Sequence, residues 1–219
     1  MIRAVLFDLD GTLADTALDL GYALNEQRRR HGLAPLPHEQ LRPYASHGVR
    51  GLLEVGFNLM PQDPSFSTMR EEYLQLYTTN LCRLTCLFQG MAETLQQLEQ
   101  HDIPWGVVTN KPARFTDPLM TALNLSNRAA SIISGDTCAH PKPHPEPLLC
   151  ASREIGLPPE QFAYIGDAQR DMEAAIAAGM CPIIARYGYL GPNDHPEEWG
   201  ASNMIESPLE LLNVLQAQP

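Results

Sequence analysis

Three short polar segments, each directly after an apolar stretch, contain residues that could bind a cation or an anion. They are DLDGT at 8–12, TNK at 109–111 and GDA at 166–168. If the apolar stretches are parallel strands, these segments lie along one edge of a sheet, where open α/β folds bind their ligands. Turns are also rich in Asp, Asn and Gly, so one such segment alone would indicate only a turn. Three of them favour one convergent site.

The carboxylates of these segments indicate a divalent cation. Asp8 and Asp10 would repel each other unless a cation lay between them and Asp167. Oxygen ligands of this kind suit Mg²⁺, which keeps several waters and a substrate phosphate in its shell. A calcium-binding EF-hand is the alternative for DxDG, but the glycine and glutamate that such a loop requires later are missing from their positions. We therefore expect Mg²⁺ as the cofactor.

Lysine is rare in this chain, and both lysines lie in polar segments. The 15 basic residues are 13 arginines and only two lysines, Lys111 and Lys142. A compact ammonium acts on phosphate as a point charge, a role that the planar guanidinium of arginine does not copy well. An arginine-preferring genome with two chance lysines is the alternative explanation. The contexts of the two lysines, TNK and KPHPEP, favour a role at the predicted site.

Short apolar runs predict the strands that must position these residues. Helical patterns separate the runs, so that strand and helix alternate from residue 86 to the end of the chain. Such alternation predicts an α/β fold with a parallel sheet and helices on both faces. The predicted strands lie at 3–7, 103–108, 131–134, 162–165 and 182–185.

Residues 15–85 break this alternation. They carry helical periodicity, for example at Leu20 and Leu24, without a convincing strand. Proline-rich segments mark the loops between the predicted helices. We therefore predict an inserted all-helical domain at 15–85 and a core domain formed by residues 1–14 and 86–219.

Length and composition exclude several classes of protein. The 219 residues are 44% hydrophobic and 19% charged, which is typical of a folded globular protein. A net charge of −11 disfavours nucleic acid and membrane surfaces as partners. No apolar run reaches the ~18 residues of a spanning helix, and Asp8 comes too early for a signal peptide, so we expect a cytoplasmic protein. Five cysteines without CxxC pairs favour reduced thiols over disulfides or a zinc site.

The polar motifs together resemble those of a known enzyme superfamily. DLDGT at 8–12, TN at 109–110, the lysine of KPHPEP at 142–147 and GDAQRD at 166–171 are similar to the four motifs of the haloacid dehalogenase superfamily. The helical block at 15–85 lies where that superfamily places its C1 cap. The resemblance spans the whole chain and implies a Rossmann-like core with an inserted cap.

The resemblance also implies a mechanism. The resemblance implies that Asp8 is the nucleophile that forms an aspartyl-phosphate, and that Asp10 protonates the leaving oxygen and then activates water. Thr109 and Asn110 would hold the phosphate, and Lys142 would neutralise charge. An in-line displacement at phosphorus needs a nucleophile, charge neutralisation and an acid, and these residue types supply all three.

The same resemblance implies which residues bind the metal. Mg²⁺ would be bound by Asp8, the Asp10 carbonyl and Asp167, with Asp171 in support. Ala and Gln at 168–169 depart from the acid or serine that many relatives carry after GD. This departure leaves one fewer potential ligand next to Asp167.

Narrower similarity indicates the substrate class. TNKP, KPHPEPL and the stretch at 186–201 look like the phosphoglycolate phosphatase group, and the last looks most like its N-acetylmuramic acid 6-phosphate phosphatase branch. Both substrates carry a carboxylate beside a phosphate, which a cap guanidinium could bind bidentately. Arg50 is the candidate, with Lys111 as a further substrate-binding residue, and an ordinary exposed arginine is the alternative for Arg50. His47, and Arg186 together with Tyr187, are weaker candidates for substrate contact.

Other activities are disfavoured by what the sequence contains and lacks. Dehalogenation would not need Asp10 as an acid, and phosphonate hydrolysis in this superfamily uses a cap lysine, which residues 15–85 lack. The glycine-rich nucleotide-binding motifs and the GxSxG motif of serine hydrolases are absent. A phosphomutase and a non-catalytic regulatory protein remain alternatives to a phosphatase acting on a small phosphorylated metabolite. We expect no nucleic acid or membrane partner, and a monomer or homodimer.

Overall fold

The computed structural model describes residues 1–216, which form two compact units. One unit, the core, comprises Met1–Ala14 and the chain from Leu87 onward. The other, the helical unit, comprises Asp15–Cys86. The last residues of the predicted core domain, 217–219, lie outside the described residues.

The core is built on a six-stranded parallel sheet, so the predicted α/β class is confirmed. Among residues 1–216 the strands are β1 (Ala4–Phe7), β2 (Ala14–Asp15), β3 (Cys86–Leu87), β4 (Trp105–Val108), β5 (Ser131–Ile133), β6 (Phe162–Gly166), β7 (Cys181–Ala185) and β8 (Asn203–Ile205). The large sheet has the order β5-β4-β1-β6-β7-β8, and β2 pairs with β3 in a separate two-stranded sheet.

The helices follow the predicted alternation in the core and fill most of the helical unit. Several begin or end at proline or glycine, such as α7, whose C-cap Gly156 has a φ of 80° that favours glycine. In the described chain they are α1 (Ala17–Arg30), α2 (His38–Leu41), α3 (Gly48–Phe57), α4 (Phe66–Thr79), α5 (Met91–Gln100), α6 (Ala113–Ala122), α7 (Glu146–Ile155), α8 (Gln169–Ala178) and α9 (Leu211–Gln216).

Burial of every side chain explains why the central strand is a continuous apolar run. Every residue of β1 is buried. Ala4 and Leu6 share one hydrophobic cluster with Leu148 of α7 and Ala175 of α8. Burial of each large aliphatic side chain contributes about 1.5–3 kcal/mol. The strand that precedes Asp8 is therefore held firmly between its neighbours.

One strand of the large sheet was missed by the sequence analysis. β8 pairs in parallel with β7 at the edge of the sheet. It is three residues long, and Asn203 and Met204 are only partly buried. A strand this short, with a polar first residue, lacks the apolar run by which the others were predicted.

The helical unit contains a buried carboxylate that fixes its last residues. Asp19 of α1 is buried and accepts hydrogen bonds from the backbone N–H groups of Arg83 (2.9 Å) and Thr85 (2.9 Å). It also accepts from the Thr85 hydroxyl at 2.7 Å. These bonds satisfy the buried charge. The segment that leads back to the core is thereby tied to α1.

Among the residues that the structure describes, no helix is long and apolar enough to cross a bilayer.

Candidate active site

The order of the strands brings the three polar segments together. β1 lies between β4 and β6 in the sheet. Asp8 directly follows β1, Thr109 follows β4, and Asp167 follows β6. Because all three strands run parallel, these residues share the carboxyl edge of the sheet.

Lys142 is a buried charge at this edge. Its side chain is fully buried, and its Nζ lies 3.0 Å from Asp8 Oδ1 and 2.7 Å from Asp171 Oδ1. The ammonium also donates to the Val108 carbonyl at 2.9 Å. A buried charge is tolerated only when it is paired and hydrogen-bonded, and Lys142 meets both conditions. It places a fixed positive charge beside Asp8.

Tyr164 is a further partner of Lys142 that the sequence analysis did not single out. The Lys142 Nζ donates to its hydroxyl at 2.6 Å, and that hydroxyl donates to the Val108 carbonyl at 2.8 Å. Burial raises the pKa of the phenol well above its ordinary value, and the carboxylates of Asp171 and Asp8 raise it further. The hydroxyl therefore stays protonated and helps to orient the ammonium.

Asp171 is held from two sides at the start of α8. One of its oxygens faces Lys142, and Oδ2 accepts a hydrogen bond from the Ala168 backbone N–H at 3.1 Å. Complete burial raises the pKa of this carboxyl, and the Lys142 ammonium opposes the rise. The geometry makes Asp171 a partner of Lys142 at least as much as a neighbour of the metal position.

Asp10 faces the other lysine. Lys111 Nζ lies 2.9 Å from Asp10 Oδ1 and 3.1 Å from Oδ2, so the ammonium bridges both carboxylate oxygens. The two lysines of the chain are thus paired with the two aspartates of DLD. The predicted contact of Lys111 with substrate stays a prediction.

Asp167 is packed tightly between two glycines. Its Oδ2 accepts from the Tyr189 backbone N–H at 2.9 Å, and its Oδ1 from the Thr12 hydroxyl at 3.3 Å. A Cβ atom at Gly11 or at Gly188 would overlap the Asp167 side chain. Gly11 also has a φ of 85°, which favours glycine. Gly188, whose role could not be inferred from sequence, therefore helps to fix this carboxylate.

The buried carboxylates fit a hard divalent cation. One oxygen each of Asp8, Asp167 and Asp171 lies within 4.8 Å of the others, and all three residues are buried. Clustered anionic oxygens of this kind are the donor set that Mg²⁺ prefers. Arg170 adds positive charge nearby: burial lowers the pKa of its guanidinium, but the three carboxylates outweigh burial and raise it.

The side chain of Asn110 contacts the backbone of Lys142. Its Oδ1 accepts from the backbone N–H of Lys142 at 2.9 Å, and its Nδ2 donates to the Lys142 carbonyl at 2.9 Å. The side-chain amide therefore clamps the backbone of the loop that carries Lys142. Thr109 accepts a hydrogen bond from the Lys111 backbone N–H at 3.1 Å. The phosphate contacts expected of Thr109 and Asn110 stay predictions.

The candidates for substrate recognition lie in separate units. Arg50 is exposed on α3 of the helical unit, and His47, directly before that helix, is exposed as well. Their predicted contacts with substrate stay predictions. In the core, Arg186 is exposed, whereas the Tyr187 hydroxyl donates to the Thr12 carbonyl at 3.1 Å. Burial raises the pKa of Tyr187, so this tyrosine is a packed hydrogen-bond donor.

The chain is similar to one known protein family and to phosphatases from bacteria. A profile of the haloacid dehalogenase-like hydrolases matches residues 5–185. An N-acetylmuramic acid 6-phosphate phosphatase from Pseudomonas aeruginosa is 38% identical over 214 residues, covering 98% of this chain and 95% of that protein. A phosphoglycolate phosphatase from Xanthomonas campestris pv. campestris is 41% identical over 209 residues, covering 95% and 94%.

A solved structure shares the fold over almost the whole length. It is the crystal structure of a "predicted phosphoglycolate phosphatase" from Haemophilus somnus, with a TM-score of 0.85 and 25% sequence identity. The alignment covers 98% of each chain.

Proposed function

The chain belongs to the haloacid dehalogenase-like hydrolases, and on this premise we propose that it is a magnesium-dependent phosphatase of small phosphate monoesters. The observation that carries the proposal is the pairing of both DLD aspartates with lysines, Asp8 with Lys142 at 3.0 Å and Asp10 with Lys111 at 2.9 Å. Phosphatase names among relatives that align over nearly the whole chain support the reaction class.

In the first half of the proposed reaction, a carboxylate oxygen of Asp8 attacks phosphorus. The bond to the ester oxygen breaks as the bond to Asp8 forms, and Asp10 gives its proton to the leaving oxygen. Lys142 balances the negative charge at Asp8 from a position where water is excluded. The products are an alcohol and an aspartyl-phosphate.

In the second half, Asp10 is a carboxylate and takes a proton from water. The oxygen of that water attacks phosphorus, the bond to Asp8 breaks, and inorganic phosphate leaves. In this step the Asp10 carboxylate lies 2.9 Å from the Lys111 ammonium, which orients it. With the proton taken from this water, Asp10 can protonate the leaving oxygen of the next ester.

Magnesium belongs to the proposal through the carboxylate cluster. Asp8, the Asp10 carbonyl and Asp167 would hold it, and Asp171 would support the site through Lys142. When bound, the ion supplies positive charge that offsets repulsion between these carboxylates and the phosphate dianion.

For the substrate we propose a small phosphate ester that carries a carboxylate, either phosphoglycolate or N-acetylmuramic acid 6-phosphate. The names of the relatives from Xanthomonas and Pseudomonas support these two molecules. The guanidinium of Arg50 would bind the carboxylate of the substrate. A cytoplasmic location and a monomeric or homodimeric state complete the proposal.

A panel assay tests both the reaction and the substrate. Phosphate release should require Mg²⁺, cease with EDTA and return when Mg²⁺ is restored, with one of the two carboxylate-bearing esters preferred. Arg50→Ala should lower kcat/KM for that ester about 10- to 150-fold, the value of a charged hydrogen bond, and barely affect p-nitrophenyl phosphate. Full activity after exhaustive metal removal would refute the reaction, and equal losses on both substrates would refute the role of Arg50.

A further inference from the structure

The loop that carries Lys142 also carries a cluster of metal-binding side chains on its exposed side. His140, His144 and Glu146 each place one potential ligand atom within 4.8 Å of the other two. Both histidines are exposed, and Glu146 is the first residue of α7. The buried carboxylate cluster described above shares none of these residues.

The three side chains already hold one another in place. His140 Nδ1 lies 2.9 Å from Glu146 Oε2, and the same oxygen accepts from the His140 backbone N–H at 3.1 Å. The Glu146 backbone N–H donates to His144 Nδ1 at 3.2 Å, which orients the second ring. The two imidazole rings lie with centroids 4.6 Å apart. Ligand atoms of a tetrahedral zinc centre are about 3.4 Å apart, so small side-chain rotations would complete such a centre.

The backbone between these residues is stiff. The segment HPKPHPE at 140–146 places a proline before and after Lys142 and another directly before Glu146. Proline restricts the conformations that the chain can adopt, so less entropy is lost when ligands gather around an ion. The segment is also anchored from beneath by Lys142, which is buried among Asp8, Asp171 and Tyr164.

We propose that His140, His144 and Glu146 form a second metal site, which takes a borderline-soft divalent cation such as Zn²⁺. Two imidazoles and one carboxylate suit zinc, whereas Mg²⁺ prefers an all-oxygen shell. Three protein ligands leave further positions on the ion for water. Bound zinc would close a ring from residue 140 to residue 146 around the lysine that pairs with Asp8.

The chain offers a matched control. His195 and Glu197 also form a histidine–glutamate pair, at 3.7 Å, and the side chain of His195 is 64% exposed, as is that of His140. In the described part of the chain, the pair at 195 and 197 belongs to no group of three potential metal ligands. If any exposed histidine–glutamate pair bound zinc, replacement of His195 would therefore also weaken zinc binding.

Zinc affinity of the full-length protein, measured by competition with a chromophoric chelator in saturating Mg²⁺, tests the proposal. Loss of a second-shell partner commonly weakens a metal site about 10- to 100-fold, so His140→Gln and His144→Gln should each weaken zinc binding at least tenfold. His195→Gln should leave the affinity unchanged. Thermal melting in the absence of zinc checks that each variant folds.

Two results would overturn the site. Unchanged zinc affinity in both variants at 140 and 144 would show that these imidazoles are not ligands. Zinc binding that is lost in Asp167→Asn but kept in the histidine variants would place the ion at the carboxylate cluster instead. Because the experiment measures zinc binding and not phosphate release, neither result bears on the proposed phosphatase activity.

Discussion

Asp8 and Asp10 each face one of the two lysines in the chain, but the two pairs lie in different surroundings. The side chains of Lys142 and Asp8 are 0% and 4% exposed, at 3.0 Å from each other. Those of Lys111 and Asp10 are 6% and 17% exposed, at 2.9 Å. The distances are similar, so burial distinguishes the pairs.

This difference suits two different tasks. Breaking a buried pair leaves an unpaired charge in a medium of low dielectric constant, which is costly. We therefore expect Lys142 to remain beside Asp8 throughout the proposed reaction and to hold a constant electrostatic environment. The more open pair is easier to rearrange, which suits the proposed gain and loss of a proton by Asp10 in each cycle. We expect the Asp8 pair to act as a framework and the Asp10 pair to adjust.

The largest effect is expected at Asp8. Asp8→Asn should abolish turnover, because the amide is not a nucleophile and the change removes a proposed metal ligand. The fold should persist, since Lys142 keeps Asp171 at 2.7 Å. Steady-state kinetics and a thermal melt check the two parts. Activity near that of the wild type would contradict the covalent mechanism.

At Asp10 the expected loss is large but depends on the substrate. Asp10→Asn should lower kcat about 100- to 10,000-fold, the usual contribution of a general acid and base. The loss should be smaller for p-nitrophenyl phosphate, whose leaving group needs no proton. Parallel measurements on good and poor leaving groups check this, and equal losses on both would argue against the acid role.

The two lysines should differ in their contribution to stability. Lys142→Met leaves Asp8 and Asp171 without their shared ammonium and should lower the free energy of unfolding by about 3–5 kcal/mol. Lys111→Met should cost less, because the Asp10 side chain is 17% exposed and can be hydrated when the ammonium is lost. Urea denaturation of both variants measures the difference. Equal losses of unfolding free energy in the two variants would contradict the proposed difference between the Asp8 pair and the Asp10 pair.

Tyr164 gives the smallest predicted effect. Tyr164→Phe removes the hydroxyl that contacts Lys142 at 2.6 Å and should lower kcat about 2- to 13-fold, the equivalent of one ordinary hydrogen bond. Tyr73→Phe is the matched control, because Tyr73 is also buried and donates to a backbone carbonyl, that of Leu20, in the helical unit. Its kcat should stay at the wild-type value. A similar drop in both variants would indicate a general loss of stability.

Features carried by local pattern could be predicted from the sequence. β1 and β6 are apolar runs that an aspartate directly follows, so both the strands and the placement of Asp8 and Asp167 at one edge follow from the order of residues. The parallel sheet follows from the alternation of strand and helix.

Features that depend on distant contacts could not be predicted. Tyr164 appears in the sequence as one more apolar strand residue, because its partners Lys142 and Val108 lie 22 and 56 residues away. The clamp of Asn110 on the Lys142 backbone spans 32 residues and likewise has no local signal. Gly188 shows its role only once its backbone is seen packed on Asp167.

In the proposed mechanism, Asp8 carries the phosphoryl group between the two halves of the reaction. Asp10→Asn treated with p-nitrophenyl phosphate tests it most directly, because the good leaving group permits the first half while loss of the base slows the second. After a rapid acid quench, peptide mass spectrometry should find the mass of one phosphoryl group on the peptide that contains Asp8, with a matching burst of nitrophenol. A variant that turns over slowly with neither burst nor modified Asp8 would contradict the account.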